Sequence, residues 1–144
     1  MYLLDTDVLS ASAPTKARSR VEWADWLIRA GHRLFLSTIT IAEIEHGIAS
    51  VSRRGATVKA EKLRLWLTAV ETLYGDRLLA FDTAVAKAAG AMMDAASAHD
   101  MSFADIAIAA TAATHGLTLL SSNGRHFRPL GIALIDPFET LPPL

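Results

Sequence analysis

The 144-residue chain contains no cysteine, which removes disulfides, thiol catalysis and cysteine-type zinc sites from consideration and fits a reducing cytoplasm. It has no basic leader followed by an apolar run, so no signal peptide is expected, and no apolar stretch long enough to span a bilayer. Excess charge of either sign is missing too: the formal net charge is −1, so any nucleic acid must be met by local patches and not by a global field. There is no repeat, low-complexity tract or linker. What is present is apolar. Hydrophobic residues make up 51% of the chain and mean hydropathy is +0.28, enough for one packed domain over residues 1–144 and for some surface covered by a partner.

Short apolar runs alternate with helical patterns. Met1 to Leu4 reads as a buried strand ending on Asp5, with Val8 and Leu9 opening a short helix that stops before Pro14. Lys16 to Ala30 reads as a helix closed by Gly31, and Leu34 to Leu36 as a second strand. Helices are expected from about Thr40 to Arg53 and from Thr57 to Tyr74, the latter capped by Gly75. Leu78 to Phe81 gives a third strand, and Asp82 caps an alanine-rich helix through Ala98, where Ala88 to Ala91 permits close backbone approach. Ser102 opens a helix to His115, Leu117 to Leu120 is a fourth strand, Ser121 to Arg128 a polar loop, and Ile132 to Ile135 an edge strand. This alternation predicts an α/β fold with a short parallel sheet covered on both faces.

In such a sheet, ligands meet the carboxyl ends of the strands. Asp5 follows the first strand directly; Glu43 and Asp105 lie in the first turns of two helices; Asn123 lies just past the fourth strand. Brought to one edge, three carboxylates repel one another unless a cation compensates, and an all-oxygen set suits Mg²⁺ or Mn²⁺. Such an ion activates water and neutralises a phosphodiester transition state. Structural readings stand beside this one. Thr40-Ile41-Ala42-Glu43 and Ser102-Phe103-Ala104-Asp105 both have capping-box form, and acids near helix N-termini are favoured by the dipole. Asp7 reads as a cap of the first short helix, and His126 as a solvated loop histidine with phosphate contact as the alternative. Lys16, Arg18 and Arg20, and separately Arg53, Arg54, Lys59, Lys62 and Arg64, form basic clusters that are either RNA-backbone contacts or solvated helix faces. Trp23, Trp26 and Trp66 read as core.

Leu4 to Ser10, Leu36 to Ile48, Ala104 to Ala112 and Leu119 to Phe127, in that order, resemble the motifs of PIN-domain ribonucleases, above all the VapC-type toxins of bacterial toxin–antitoxin pairs and their FitB-like branch. The resemblance implies a compact α/β/α sandwich, an acid pocket holding Mg²⁺ or Mn²⁺, and cytoplasmic RNA cleavage that leaves a 3′-hydroxyl. It implies Asp5, Glu43 and Asp105 as the catalytic acids and metal ligands. Asn123 stands where many members carry a fourth acid, which favours one metal ion over two. Thr6 and Ser121 are placed to hold the acids or a coordinated water. The implied partners are RNA, an antitoxin that wraps the protein and presents a basic side chain to the acid pocket, and a second copy of the chain, with a larger toxin–antitoxin assembly as the next possibility. Two rivals remain at this stage. Leu3 to Leu9 also looks like the opening motif of haloacid-dehalogenase-like phosphatases, with Asp5 as nucleophile and Asp7 as general acid, but Leu119 to Phe127 offers neither the lysine nor the second acidic motif that this chemistry needs after a later strand, and the chain is short for that fold. The other is a PIN-like RNA-binding module without catalysis, which only the neutral Asn123 favours.

Overall fold

The structure, a computed structural model, describes residues 1–16 and 21–144, with the side chain of Val21 excepted. Five strands form one parallel sheet in the order β3-β2-β1-β4-β5: β1 Tyr2–Leu4, β2 Leu34–Ser37, β3 Leu78–Leu79, β4 Thr118–Leu120 and β5 Leu134–Ile135. β1 lies at the centre, with Leu3 in register with Phe35 on one side and Leu119 on the other.

The side chains of these strands alternate between two cores, as a pleat requires. Tyr2, Leu4, Leu34, Leu36 and Leu120 face a layer made by α2 (Val21–Ala30), α3 (Thr38–Arg53) and α4 (Thr57–Tyr74). Leu3 and Leu119 face α6 (Phe103–Thr114) together with Phe127. α5 (Thr83–Ala95) packs along α6 through Val85, Ala89, Ile106 and Ala110, four small or branched side chains that let the helices approach. The expected helix–sheet–helix layering is therefore what the chain forms. Trp23 and Trp26 stack in the first core at 5.1 Å between ring centroids, whereas Trp66 is half-buried at its margin. The C-terminal tail straps that core: Tyr2 Oη donates to the Pro143 carbonyl at 2.6 Å and Trp26 Nε1 to that of Pro142 at 2.7 Å.

Several local expectations are corrected. α1 runs Thr6–Ser10, two residues earlier than the apolar pattern suggested, because the Asp5 carboxylate accepts the Thr6 amide and caps it. α3 begins at Thr38 on a Ser37 cap, which leaves Thr40 inside the helix and removes the Thr40–Glu43 capping box. Gly31 does not stop α2 in a left-handed turn; the chain runs on through a 3-10 turn, Gly31–Arg33. β3 and α5 are shorter than expected, and Gly90 faces open space and not a neighbouring backbone. Ser121 to Arg128 is not all loop, since Gly124–Phe127 forms a short helix, α7, pinned by buried Phe127. The helix expected from Lys16 does not include Lys16, and residues 17–20, with Arg18 and Arg20, lie outside the described residues. Gly75 and Gly116 do end α4 and α6 at positive φ (44° and 63°), where a Cβ is strained.

Candidate active site

The parallel sheet sends the ends of β1, β2 and β4 to one edge, and the site is assembled there. A pocket of about 290 Å³ is lined by Asp5, Thr6, Asp7, Ser10, Glu43, Asp105 and Asn123. Asp5 leaves β1, with its amide bonded to the Leu120 carbonyl of β4 at 2.9 Å, so the sheet itself fixes its backbone. Glu43 comes from the second turn of α3, Asp105 from the first turn of α6 and Asn123 from the residue preceding α7. The four acid and amide positions singled out in the sequence thus share one pocket.

Hydroxyl groups hold the acids. Ser121, fully buried, donates from Oγ to Asp5 Oδ2 at 2.6 Å, while Oδ1 takes the Thr6 amide at 2.8 Å. Thr6 Oγ1 donates to Glu43 Oε2. Ser102 Oγ donates to Asp105 Oδ2 at 2.7 Å and accepts the Asp105 amide at 3.1 Å, so the Ser102 capping arrangement is real and coexists with the pocket position. The N-cap position of α1 belongs to Asp5 and not to Asp7, which satisfies a first-turn amide from inside the helix. Asp7 Oδ1 takes the Val8 amide at 2.6 Å and its Oδ2 takes both the amide (3.0 Å) and the hydroxyl of Ser122, which ties the loop after β1 to the loop after β4.

His126 is the largest departure from expectation. It is half-buried and paired: Nε2 lies 2.9 Å from Asp105 Oδ2, and the two side chains are 29% and 25% exposed. Nothing local marks this pair, which is separated by 21 residues. The same is true of Asp7 and Ser122, 115 residues apart. The second basic cluster, Arg53, Arg54, Lys59, Lys62 and Arg64, is exposed on α3 and α4 and contributes nothing to the lining.

Four carboxylates therefore line a pocket that no lysine or arginine among the described residues lines. The electrostatic consequence falls on Asp5, which is only 6% exposed. Burial is the main cause that pushes its pKa up from 3.8 to about 7; the Ser121 hydroxyl and the Thr6 amide oppose this, and the charges of Asp7 and Asp105 add to it. Among the described residues no three Asp, Glu or His groups close into a ready-made cage. Mg²⁺ and Mn²⁺ do not need one, since such ions keep several waters and take one or two carboxylates directly. The all-oxygen donor set and the gathering of four carboxylates fit such an ion.

The chain matches the PIN domain family over residues 2–132. It is 32% identical to the toxin FitB of Neisseria gonorrhoeae and 31% identical to the VapC ribonuclease Y4jK of Sinorhizobium fredii, each alignment covering 96% of this chain and 99% of the relative. The crystal structure of FitAcB from Neisseria gonorrhoeae superposes with a TM-score of 0.81 at 30% identity, over 96% of this chain and 99% of that one. The parallel sheet, the acids at its edge and these similarities agree: the chain belongs to the PIN-domain family.

Proposed function

We propose that this protein is a metal-dependent endoribonuclease of the VapC and FitB type, acting in the cytoplasm as the toxin of a toxin–antitoxin pair. The observation that carries the reading is the pocket at the end of β1, where four carboxylates face one another and, among the described residues, no lysine or arginine lines it. Asp5, Glu43 and Asp105 would hold Mg²⁺ or Mn²⁺, with Asn123 as a neutral oxygen donor. When bound, the ion supplies an activated water and charge neutralisation at the scissile phosphate. The protein's own part is orientation. Ser121 and the Thr6 amide fix both Asp5 oxygens, Thr6 Oγ1 steadies Glu43, and the Asp7–Ser122 link keeps the β1 and β4 loops at one spacing.

Family membership displaces the phosphatase reading, which assigned Asp7 as a general acid; here the Asp7 side chain accepts three hydrogen bonds, two of them from Ser122. A binding module without catalysis finds no support beyond Asn123, since the three acids all reach the pocket.

An antitoxin partner is supported by an apolar groove of about 560 Å³ between α2 and α4. Leu27, Trp66 and Val70 line its walls, Ile28 and Leu73 stand largely exposed at its rim (80% and 70%), and Arg77 closes one end. That is a surface for the apolar face of a partner helix. All five strands share one sheet, which supports residues 1–144 as a single domain, and a homodimer is part of the proposal. No helix among the described residues is long and apolar enough to cross a membrane.

The test is RNA cleavage by purified, antitoxin-free protein with Mg²⁺, Mn²⁺ or EDTA, with p-nitrophenyl phosphate in parallel. Metal-dependent cutting that leaves 3′-hydroxyl ends is the expected result; turnover of the monoester without RNA cutting contradicts it.

A further inference from the structure

His126 does not line the acid pocket, yet it touches one of its acids. α7 presents it: Phe127, 1% exposed, anchors the short helix in the core with Leu3, Ile108 and Leu119, and the His126 amide donates to the Asn123 carbonyl at 3.0 Å. The ring, set at 90° to Phe127, turns Nε2 toward Asp105 Oδ2 at 2.9 Å. A carboxylate only accepts, so Nε2 carries the hydrogen. The same oxygen also takes the Ser102 hydroxyl at 2.7 Å. Two donors on Oδ2 fix the carboxylate plane and leave Oδ1 as the oxygen without a protein donor among the described residues.

We infer that His126 is a positioning residue for the metal site: by holding Oδ2, it turns Asp105 Oδ1 toward the cation. Because Asn123 immediately precedes α7, the same contact ties the fourth donor to the third. This rests on the metal-nuclease reading above. It makes two statements about the chain: Asp105 binds through one oxygen, and metal affinity depends on a ring that does not touch the metal. Groups that orient metal-binding side chains in this way typically change affinity by about 10–100-fold when removed.

The experiment is Mn²⁺ titration of the intact protein, followed by the electron paramagnetic resonance signal of free Mn²⁺, for wild type, His126→Ala and His126→Gln. Glutamine can place an amide N–H near the position of Nε2. RNA cleavage is measured alongside at limiting and saturating Mn²⁺. We expect His126→Ala to weaken Mn²⁺ binding by about tenfold or more. Its cleavage defect should be largest at limiting metal and recover with excess, with the KM for RNA at saturating metal within about twofold of wild type, and His126→Gln should regain most of the lost affinity. Ser102→Ala, which removes the other donor to Oδ2, should weaken binding in the same sense and serves if His126→Ala folds poorly. Mn²⁺ affinity of His126→Ala within twofold of wild type overturns the assignment. So does a KM defect that excess metal does not repair, which would make His126 an RNA contact, and so does failure of His126→Gln to improve on alanine. Absence of Mn²⁺ binding by the wild type overturns the metal-nuclease reading itself, a separate outcome.

Discussion

Ser121 Oγ donates to Asp5 Oδ2 at 2.6 Å across the β1–β4 boundary, and both side chains are buried. This bond is the main force opposing the burial that makes the Asp5 carboxylate hard to ionise. Ser121→Ala should therefore push the Asp5 pKa above about 7 and move the acidic limb of the pH–activity profile upward. The loss of one buried hydrogen bond should cost about 1–3 kcal/mol in denaturant unfolding. An unmoved acidic limb would separate Ser121 from the function of Asp5.

Asp5 also makes stability depend on pH. In the unfolded chain it titrates near its ordinary 3.8; in the metal-free native protein it titrates near 7. Between these values the native state holds more protons than the unfolded one, so Asp5 lowers stability as pH rises through that window, and the loss is complete above about 7. The size is of the order of a few kcal/mol. With EDTA present, Asp5→Asn should thus stabilise the protein at pH 8 and change little at pH 4. Added Mn²⁺ should raise the melting temperature of the wild type more at pH 8 than at pH 5.5, because the cation binds the ionised form. Thermal melts across that range, with and without Mn²⁺, check both statements.

Thr6 stands between two acids, with its amide on Asp5 and its hydroxyl on Glu43. Thr6→Val keeps the amide and the shape but removes the hydroxyl. RNA cleavage should fall by about tenfold or more, within the range for groups that orient metal-binding side chains. Stability should change by no more than about 1 kcal/mol, the net worth of one partly exposed hydrogen bond. Initial rates at several Mn²⁺ concentrations, with a urea melt, separate these effects.

Thr40 carries the opposite lesson. Its side chain is fully buried in α3 and its Oγ1 has no hydrogen-bond partner among the described residues. Replacing an unsatisfied buried hydroxyl by a methyl of nearly the same shape removes a desolvation cost, so Thr40→Val should stabilise the fold by about 1 kcal/mol. A urea melt that shows destabilisation would mean that the hydroxyl has a partner, such as ordered water.

The groove between α2 and α4 gives a separation of roles. Ile28→Glu and Leu73→Glu place charge on its exposed rim, and neither residue lines the acid pocket. They should abolish co-purification with the antitoxin and leave RNA cleavage within about twofold, since an uncompensated buried charge costs several kcal/mol at an interface. Pull-down and cleavage assays on the same preparations decide this.

How much of this was readable in the sequence depended on how far apart the cooperating residues lie. Asp5 was visible because an apolar strand ends on it, and the alternation of strands and helices gave the layered sheet. The start of α3 was misplaced because Thr40-x-x-Glu43 mimics a capping box, whereas Ser37, at the end of β2, makes the cap. α7 was hidden because four residues cannot display a helical period. The pairs His126–Asp105 and Asp7–Ser122 left no local trace, since only folding brings their segments together. The family resemblance names the acids, and Thr6 and Ser121 are legible as hydroxyls that hold them, but nothing in the sequence points to His126 as a support of Asp105.

The most direct test of the account is RNA cleavage by antitoxin-free wild type beside Asp5→Asn and Asp105→Asn, each with saturating Mn²⁺ and again with EDTA. Both variants keep side-chain shape and remove a carboxylate from the pocket. Cutting by the wild type that EDTA stops, with each variant reduced by two orders of magnitude or more (about 3 kcal/mol of transition-state stabilisation), is the predicted result. Undiminished cutting by either variant, or cutting that survives EDTA, would contradict it.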